Sequence, residues 1–410
     1  MNSNPEATSL SRPQWRVLLA QATTTALLLA GCGGGGDASG PSTGGTGTTP
    51  AASSFAAGTI TGFGSVIVNG VRFDDSRATV TDDDGNAASS ASLKLGMSAE
   101  VHGGKITDDG VSQKAEADAI RFGAALIGPV ASSNAGAKSL VVLGQTVLVL
   151  DTTVIDLRFA GGFAGIVAGA LLEIHATLDA QTGVYTATRI EPAAATAGYK
   201  IRGVVSNLDT TAKTFRIGTA LISYAGVATV PASLANGALL KVRLQTTQVA
   251  GAWVATRLGD ARPRVEDADE AHLKGTITAF TSSAAFSVNG IPVDASHAAF
   301  PNGTTAIVLG ANVKVKGTSS NGTIVATRVS TETHEEAHAE GFELHGAITA
   351  IDSTAKTFVL RGITVNYAAQ TVEFRRGTAA TLAVGVQLEV RGLLSADGTT
   401  LAATRISFGD

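Results

Sequence analysis

Apolar and polar residues alternate along this chain in short runs that turns interrupt, a period-2 pattern that predicts β-strands. Two runs show it best: Val66-Ile-Val-Asn-Gly-Val-Arg-Phe73 and Phe286-Ser-Val-Asn-Gly-Ile-Pro-Val293. Asn-Gly between alternating apolar residues signals a two-residue hairpin, because both central residues need positive φ. A longer period overlies the short one. A glycine, two free positions and an apolar–charged–aliphatic triplet recur at Gly96–Val101, Gly169–Ile174, Gly237–Val242, Gly310–Val315 and Gly385–Val390, every 68 to 75 residues. A fixed period of this size marks one supersecondary unit repeated in tandem.

The repeats run Gly58–Phe122, Ile127–Glu191, Ile201–Leu258, Leu273–Ser330 and Leu344–Phe408. Each opens on a strand with a glycine before an aliphatic (Ile60, Val130, Val205, Ile277, Ile348), continues through a hairpin and a variable stretch, and reaches the glycine-led triplet. Four close on Ala-Thr-Arg-aliphatic, ending at Ile190, Leu258, Val329 and Ile406. About six short strands in each unit of about 60 residues predict a small barrel or sandwich. Val66, Leu140, Phe215, Phe286 and Phe358 share one hairpin position and read as core. Repeats 1 and 2 are separated only by Gly123-Ala-Ala125, which packs them together. Acidic stretches at Gly259–His272 and Thr331–Glu343 predict hinges, and so a jointed rod.

Composition adds a compartment and removes some functions. The 410 residues are 44% hydrophobic and 16% charged, with 48 glycines. Arg12 and Arg16 precede a short apolar run, Val17–Ala30, that is too short to span a bilayer. It ends in Leu29-Ala30-Gly31-Cys32, with the chain's one cysteine, so no intrachain disulfide exists. Residues 33–57, rich in Gly, Ser and Thr, read as a disordered tether. Without residues 1–31 the chain holds 28 basic and 33 acidic side chains, a net charge of −5. That balance lacks the electrostatic footprint of a nucleic-acid binder.

Candidate chemistry is sparse. His334-Glu335-Glu336-Ala337-His338 fits H-E-x-x-H, in which histidines one helical turn apart bind zinc beside a glutamate base. Thr333 with Glu336 forms a capping box, and Gly341 terminates the turn. The segment carries no large apolar side chain to bury under a cleft, so it reads first as a solvated linker. Weak metal binding assisted by Glu340, Glu343 or His345 comes second. Asp82-Asp-Asp-Gly-Asn86 reads as an acidic turn, since Val80 occupies the first ligand position of a calcium loop. Arg189, Arg257, Arg328 and Arg405 stand on equivalent strands and can either read the anionic groups of a polymer or pair across strands. Simple alternation puts each on the face of Tyr185, Trp253, Ile324 or Leu401 and makes the opposite face the core. The triplet's charge varies as Glu100, Glu173, Lys241, Lys314 and Glu389 and reads as solvent-facing. No phosphate loop, dinucleotide fingerprint, serine elbow or cysteine nucleophile is present.

The segment ending at Cys32 resembles the lipobox of bacterial lipoproteins. That resemblance implies lipidation at Cys32, removal of the preceding peptide and, with glycine at position 33, sorting to the outer membrane. Together with the repeats, of which Gly58-Thr-Ile-Thr-Gly-Phe-Gly-Ser-Val-Ile-Val-Asn-Gly-Val-Arg-Phe73 is the sharpest, the chain resembles envelope lipoproteins whose repeated domain is a domain of unknown function, number 5666 of its series. The resemblance implies an all-β chain of five OB-like barrels and carries no catalytic residue, cofactor or metal. The expectation is a lipid-anchored, non-enzymatic spacer or protein-binding scaffold of the cell envelope. The alternatives are an oligosaccharide or polymer binder using Trp253 and the four arginines, and a metal-dependent hydrolase at His334 and His338.

Overall fold

A computed structural model describes residues 52–110, 112–194 and 198–409. The peptide ending at Cys32 and the tether up to residue 51 lie outside the described residues. Nearly all regular structure in the remainder is strand.

Each repeat builds a closed ring of five strands. In repeat 4 the opening strand Ala268–Ser282 pairs antiparallel with hairpin strand Ala285–Val288 and with the glycine-led strand Asn312–Ser320. The second hairpin strand, Ile291–Asp294, runs parallel to the closing strand Thr323–Thr331, which returns antiparallel to the glycine-led strand. The same circuit closes in the other four repeats. It is the small OB-like barrel that the pattern predicts. Asn69 and Gly70, like Asn289 and Gly290, both adopt positive φ in their hairpins. The five shared hairpin positions from Val66 to Phe358 are all buried.

The five-fold glycine has one geometric cause. Gly96, Gly169, Gly237, Gly310 and Gly385 all lie at φ between 82° and 89°, where an L side chain is strained. Each donates its N–H to the carbonyl of Ile60, Val130, Val205, Ile277 or Ile348 at 2.8–2.9 Å. Those are the aliphatic residues of the opening strands. The two signatures read separately from the sequence are therefore the two ends of one clasp that sets strand register.

The Ala-Thr-Arg-aliphatic signature is a β-bulge, which corrects the facing expected from alternation. In repeat 4 Lys316 opposes Arg328 and Gly317 opposes Ala326, so Thr327 is the extra residue. Ile324, Ala326 and Val329 consequently all enter the core, while Val325 is exposed. Corresponding shifts occur in the other four repeats. A bulge flips parity at one step, which a period-2 reading cannot follow. The glycine opposite it belongs to the same device: a Cβ on Gly317 would lie 2.0 Å from the Val325 carbonyl oxygen.

Two further expectations change. Ser53–Ala57, assigned to the tether, form the start of the strand Ser53–Phe63, with Phe55 fully buried. Residues 54–57 pair with 270–273 of repeat 4, and Phe55 and Ala57 complete that repeat's core. Small Ser and Ala side chains resemble a linker until a partner strand is present. The jointed rod is replaced by one compact unit that takes in all the described residues. Repeat 1 pairs its opening strand with those of both repeat 4 and repeat 5, while the opening strands of repeats 2 and 3 pair with each other. Repeats 1 and 5 share one apolar core, and repeats 2 and 3 share another. The presumed hinges are held down: Arg264 is hydrogen-bonded to Glu100 and His102, and Glu332 pairs with Lys274 and Lys314.

Candidate functional site

The densest polar chemistry lies where repeat 1 meets repeat 3. Asp82 turns its carboxylate back onto the N–H groups of Asp84 and Asn86, at 2.9 and 2.8 Å, which closes the acidic turn. This frees Asp83 and Asp84 to face repeat 3. Asp83 receives Lys200 Nζ at 2.5 Å, and that lysine side chain is only 1% exposed. Lys241 reaches Asp84 at 2.8 Å and also bonds the Asp83 carbonyl, while Arg243 bonds Asp84 through Nε at 2.7 Å. The acidic turn is therefore a structural socket for three cations.

This junction corrects the solvent-facing reading of the triplet's charge. Lys241 is buried in the socket. Lys314 joins Glu332 and Glu340 on the chain that links repeats 4 and 5. Glu100 accepts the Arg264 N–H, and Glu389 meets Arg391 at 3.3 Å and His345 at 3.8 Å. Lys241, Lys314 and Glu100 thus meet another repeat or a linker, whereas Glu389 pairs within its own repeat and Glu173 lies 3.6 Å from His175 of repeat 2.

Electrostatics follow the geometry. Burial pushes both socket carboxylates upward, but their cations outweigh it. Asp83 is held below its ordinary value, chiefly by the charges of Lys200 and Lys241. Asp84 falls from 3.8 to about 2 through hydrogen bonds from Lys241 and Arg243 and their charges. A depressed carboxylate stabilises the fold above its unfolded pKa, and that contribution disappears as pH falls through the folded value. Unfolding free energy should therefore decline between pH 3.8 and about 2. Asp84→Asn should flatten this slope in acid-titrated urea melts, and an unchanged slope would refute the assignment.

The four equivalent arginines share no single environment. Arg189 is buried, bonding Glu191 at 2.9 Å, Asp156 at 3.1 Å and the Leu95 carbonyl of repeat 1. Arg405 bonds Glu373 at 2.8 Å. Arg257 is largely exposed, 3.9 Å from Asp84, and Arg328 is exposed. Trp253 packs edge-on against Tyr199, with ring centroids 5.6 Å apart. It occupies the position where Tyr185, Ile324 and Leu401 are buried, yet it is itself half-buried. It lines a cleft between repeats 2 and 3 with Arg216, Gln248, Pro129 and Leu143.

The H-E-x-x-H segment forms a helix, α1 (His334–Glu340), with the expected Thr333–Glu336 capping box and a C-cap at Gly341. Glu336 is engaged in the cap, and His338 lies 3.8 Å from Asp151 of repeat 2. The His334 side chain lies outside the described set. Among the described residues, metal-ligand geometry occurs instead at Glu343, His345 and Glu389, whose donor atoms lie within 4.8 Å of one another. Arg72 and Arg391 already contact Glu343, the latter at 3.1 Å. Two guanidiniums thus balance two carboxylates, and a metal ion would have to displace one to bind there. Glu343 and His345, expected to assist metal binding at the helix, instead join repeat 5 to repeat 1 through Arg72.

Taken together, fold and junctions define a tandem array of small OB-like barrels joined edge to edge through buried ion pairs. The family described as a domain of unknown function, DUF5666, matches residues 57–112, 127–191, 274–330 and 345–407, and the chain belongs to that family. Repeat 3 falls outside the matched segments but has the same strand circuit. A search of curated proteins finds no match to the chain. No helix among the described residues is long and apolar enough to cross a membrane.

Proposed function

We propose that this protein is a lipid-anchored, non-enzymatic component of the bacterial cell envelope that presents a rigid protein-binding scaffold. The supporting observation is that the repeated charged position holds a neighbouring repeat at Lys241 and the linkers at Lys314 and Glu100, which favours a stiff platform over five separate ligand readers. The anchor rests on the lipobox-like segment ending at Cys32. Exposed valines at 167 and 384, in the variable stretches before their glycines, give that surface its repeat-specific character.

The test pairs two measurements. Cys32→Ser should abolish metabolic lipid labelling and release the chain from the membrane fraction. Photo-crosslinkers at Val167 and Val384 should capture a recurrent envelope protein in cells. Crosslinks only to lipid or to a second copy of the chain would refute the scaffold role.

The Trp253 cleft supports a second reading, the binding of an oligosaccharide or related envelope polymer. An aromatic ring flanked by an amide and a guanidinium suits a sugar ring with its hydroxyls. Glycan-array binding that Trp253→Ala removes would favour it. A metal-dependent hydrolase at His334 and His338 stands third, and stoichiometric zinc lost in His338→Ala is its test.

A further inference from the structure

Repeats 1 to 4 line a partly open cavity of about 80 Å³, whose charged lining is Asp83, Glu100 and Asp260 with Arg121, Arg202, Lys241, Arg262 and Lys274. That volume exceeds what one water needs. Its charges are unevenly matched. Lys241 is engaged by Asp83 and Asp84, and Arg121 lies 3.5 Å from Glu100 and bonds the Asp83 carbonyl at 2.8 Å. Arg202 differs. Its Nη2 donates to the Asn289 carbonyl at 3.1 Å and its buried Nε has no acceptor, while the charges of Glu100 and Asp83 act on it from beyond ion-pair distance. Its backbone is fixed by the Tyr185 hydroxyl, which donates to the Arg202 carbonyl at 2.7 Å. Arg262, exposed and following Asp260 and Ala261, stands on the linker side of the same cavity.

A guanidinium cannot shed its charge by deprotonating, and a buried donor left without an acceptor costs free energy. A lysine in the same place could lose its proton. We propose that this cavity binds a small oxyanion, a carboxylate or a phosphate-type ion, on Arg202, with Arg262 as the second cation. A guanidinium's fork of donors matches either anion in a bidentate fashion. The bound ion would supply Nε with its missing acceptor and bridge repeat 3 to the linker that leads into repeat 4, stiffening the unit at the point where four barrels meet.

The test is calorimetric titration and thermal melting of the full chain in detergent with acetate, inorganic phosphate and sulfate. Sodium chloride at matched ionic strength is the control. At least one oxyanion should bind at one per chain and raise the melting temperature where chloride does not, and comparison of the three identifies the preferred class. Arg202→Gln should abolish this response. Arg262→Gln, at an exposed site, should fold and bind about tenfold more weakly, and it decides the matter should Arg202→Gln fail to fold. No oxyanion-specific response in the native chain, or unchanged affinity in Arg262→Gln, would overturn the proposal.

Discussion

Asp83→Ala is expected to lower the unfolding free energy of the five-repeat unit by about 3–5 kcal/mol, the usual cost of breaking a buried ion pair by removing one partner. The reason is Lys200, whose side chain is 1% exposed and receives its carboxylate from Asp83 at 2.5 Å. Burial pulls the Lys200 pKa down, and Asp83 is the largest opposing influence. The alanine variant strands that ammonium in repeat 3 and also removes a carboxylate from Lys241. Urea denaturation of the full chain measures the cost. Adding Lys200→Met should restore most of it, because a buried pair exchanged for apolar groups is often neutral. A loss below about 1 kcal/mol would class the socket with ordinary surface pairs and return the molecule to separate beads.

Gly96→Ala and Gly237→Ala should differ sharply, although the two glycines head the same motif at φ of 82° and 85°. Both variants incur the left-handed backbone penalty, about 1–2 kcal/mol. At Gly237 a Cβ meets nothing within 4 Å, so the cost ends there. At Gly96 the Cβ would lie 2.4 Å from the Thr188 carbonyl oxygen of repeat 2. That oxygen is backbone in a closing strand and cannot yield without moving the barrel. An additional cost of about 1–3 kcal/mol is expected, as for other overpacked sites. Equal melting temperatures for the two variants would show that repeats 1 and 2 are not pressed together as described.

These two results probe different layers of what the chain encodes. The barrel was legible residue by residue. Asn69-Gly70 and Asn289-Gly290 announced their turns, and the shared hairpin positions announced the core, because such signals depend on neighbours close in the chain. The capping box at Thr333 and Glu336 was legible for the same reason. The Ala-Thr-Arg signature was visible but misread, since the bulge at Thr327 is defined by the strand opposite it.

The partners of charged residues lay beyond local reach. Lys200 and Asp83 are separated by 117 positions, and Arg72 and His345 by 273. One sequence without a partner surface makes Lys241 look like a solvated residue and Ser53–Ala57 like tether. The changing charge of the triplet did contain a clue, namely that no common ligand was shared, but not where each side chain would pair.

By itself, then, the sequence determined the repeat, its β character and its hairpin turns, because turns and alternation are governed by backbone sterics within a few residues. Only the tertiary structure decided that the five barrels close on one another, since edge pairing and buried charge depend on groups that meet only after each barrel has formed.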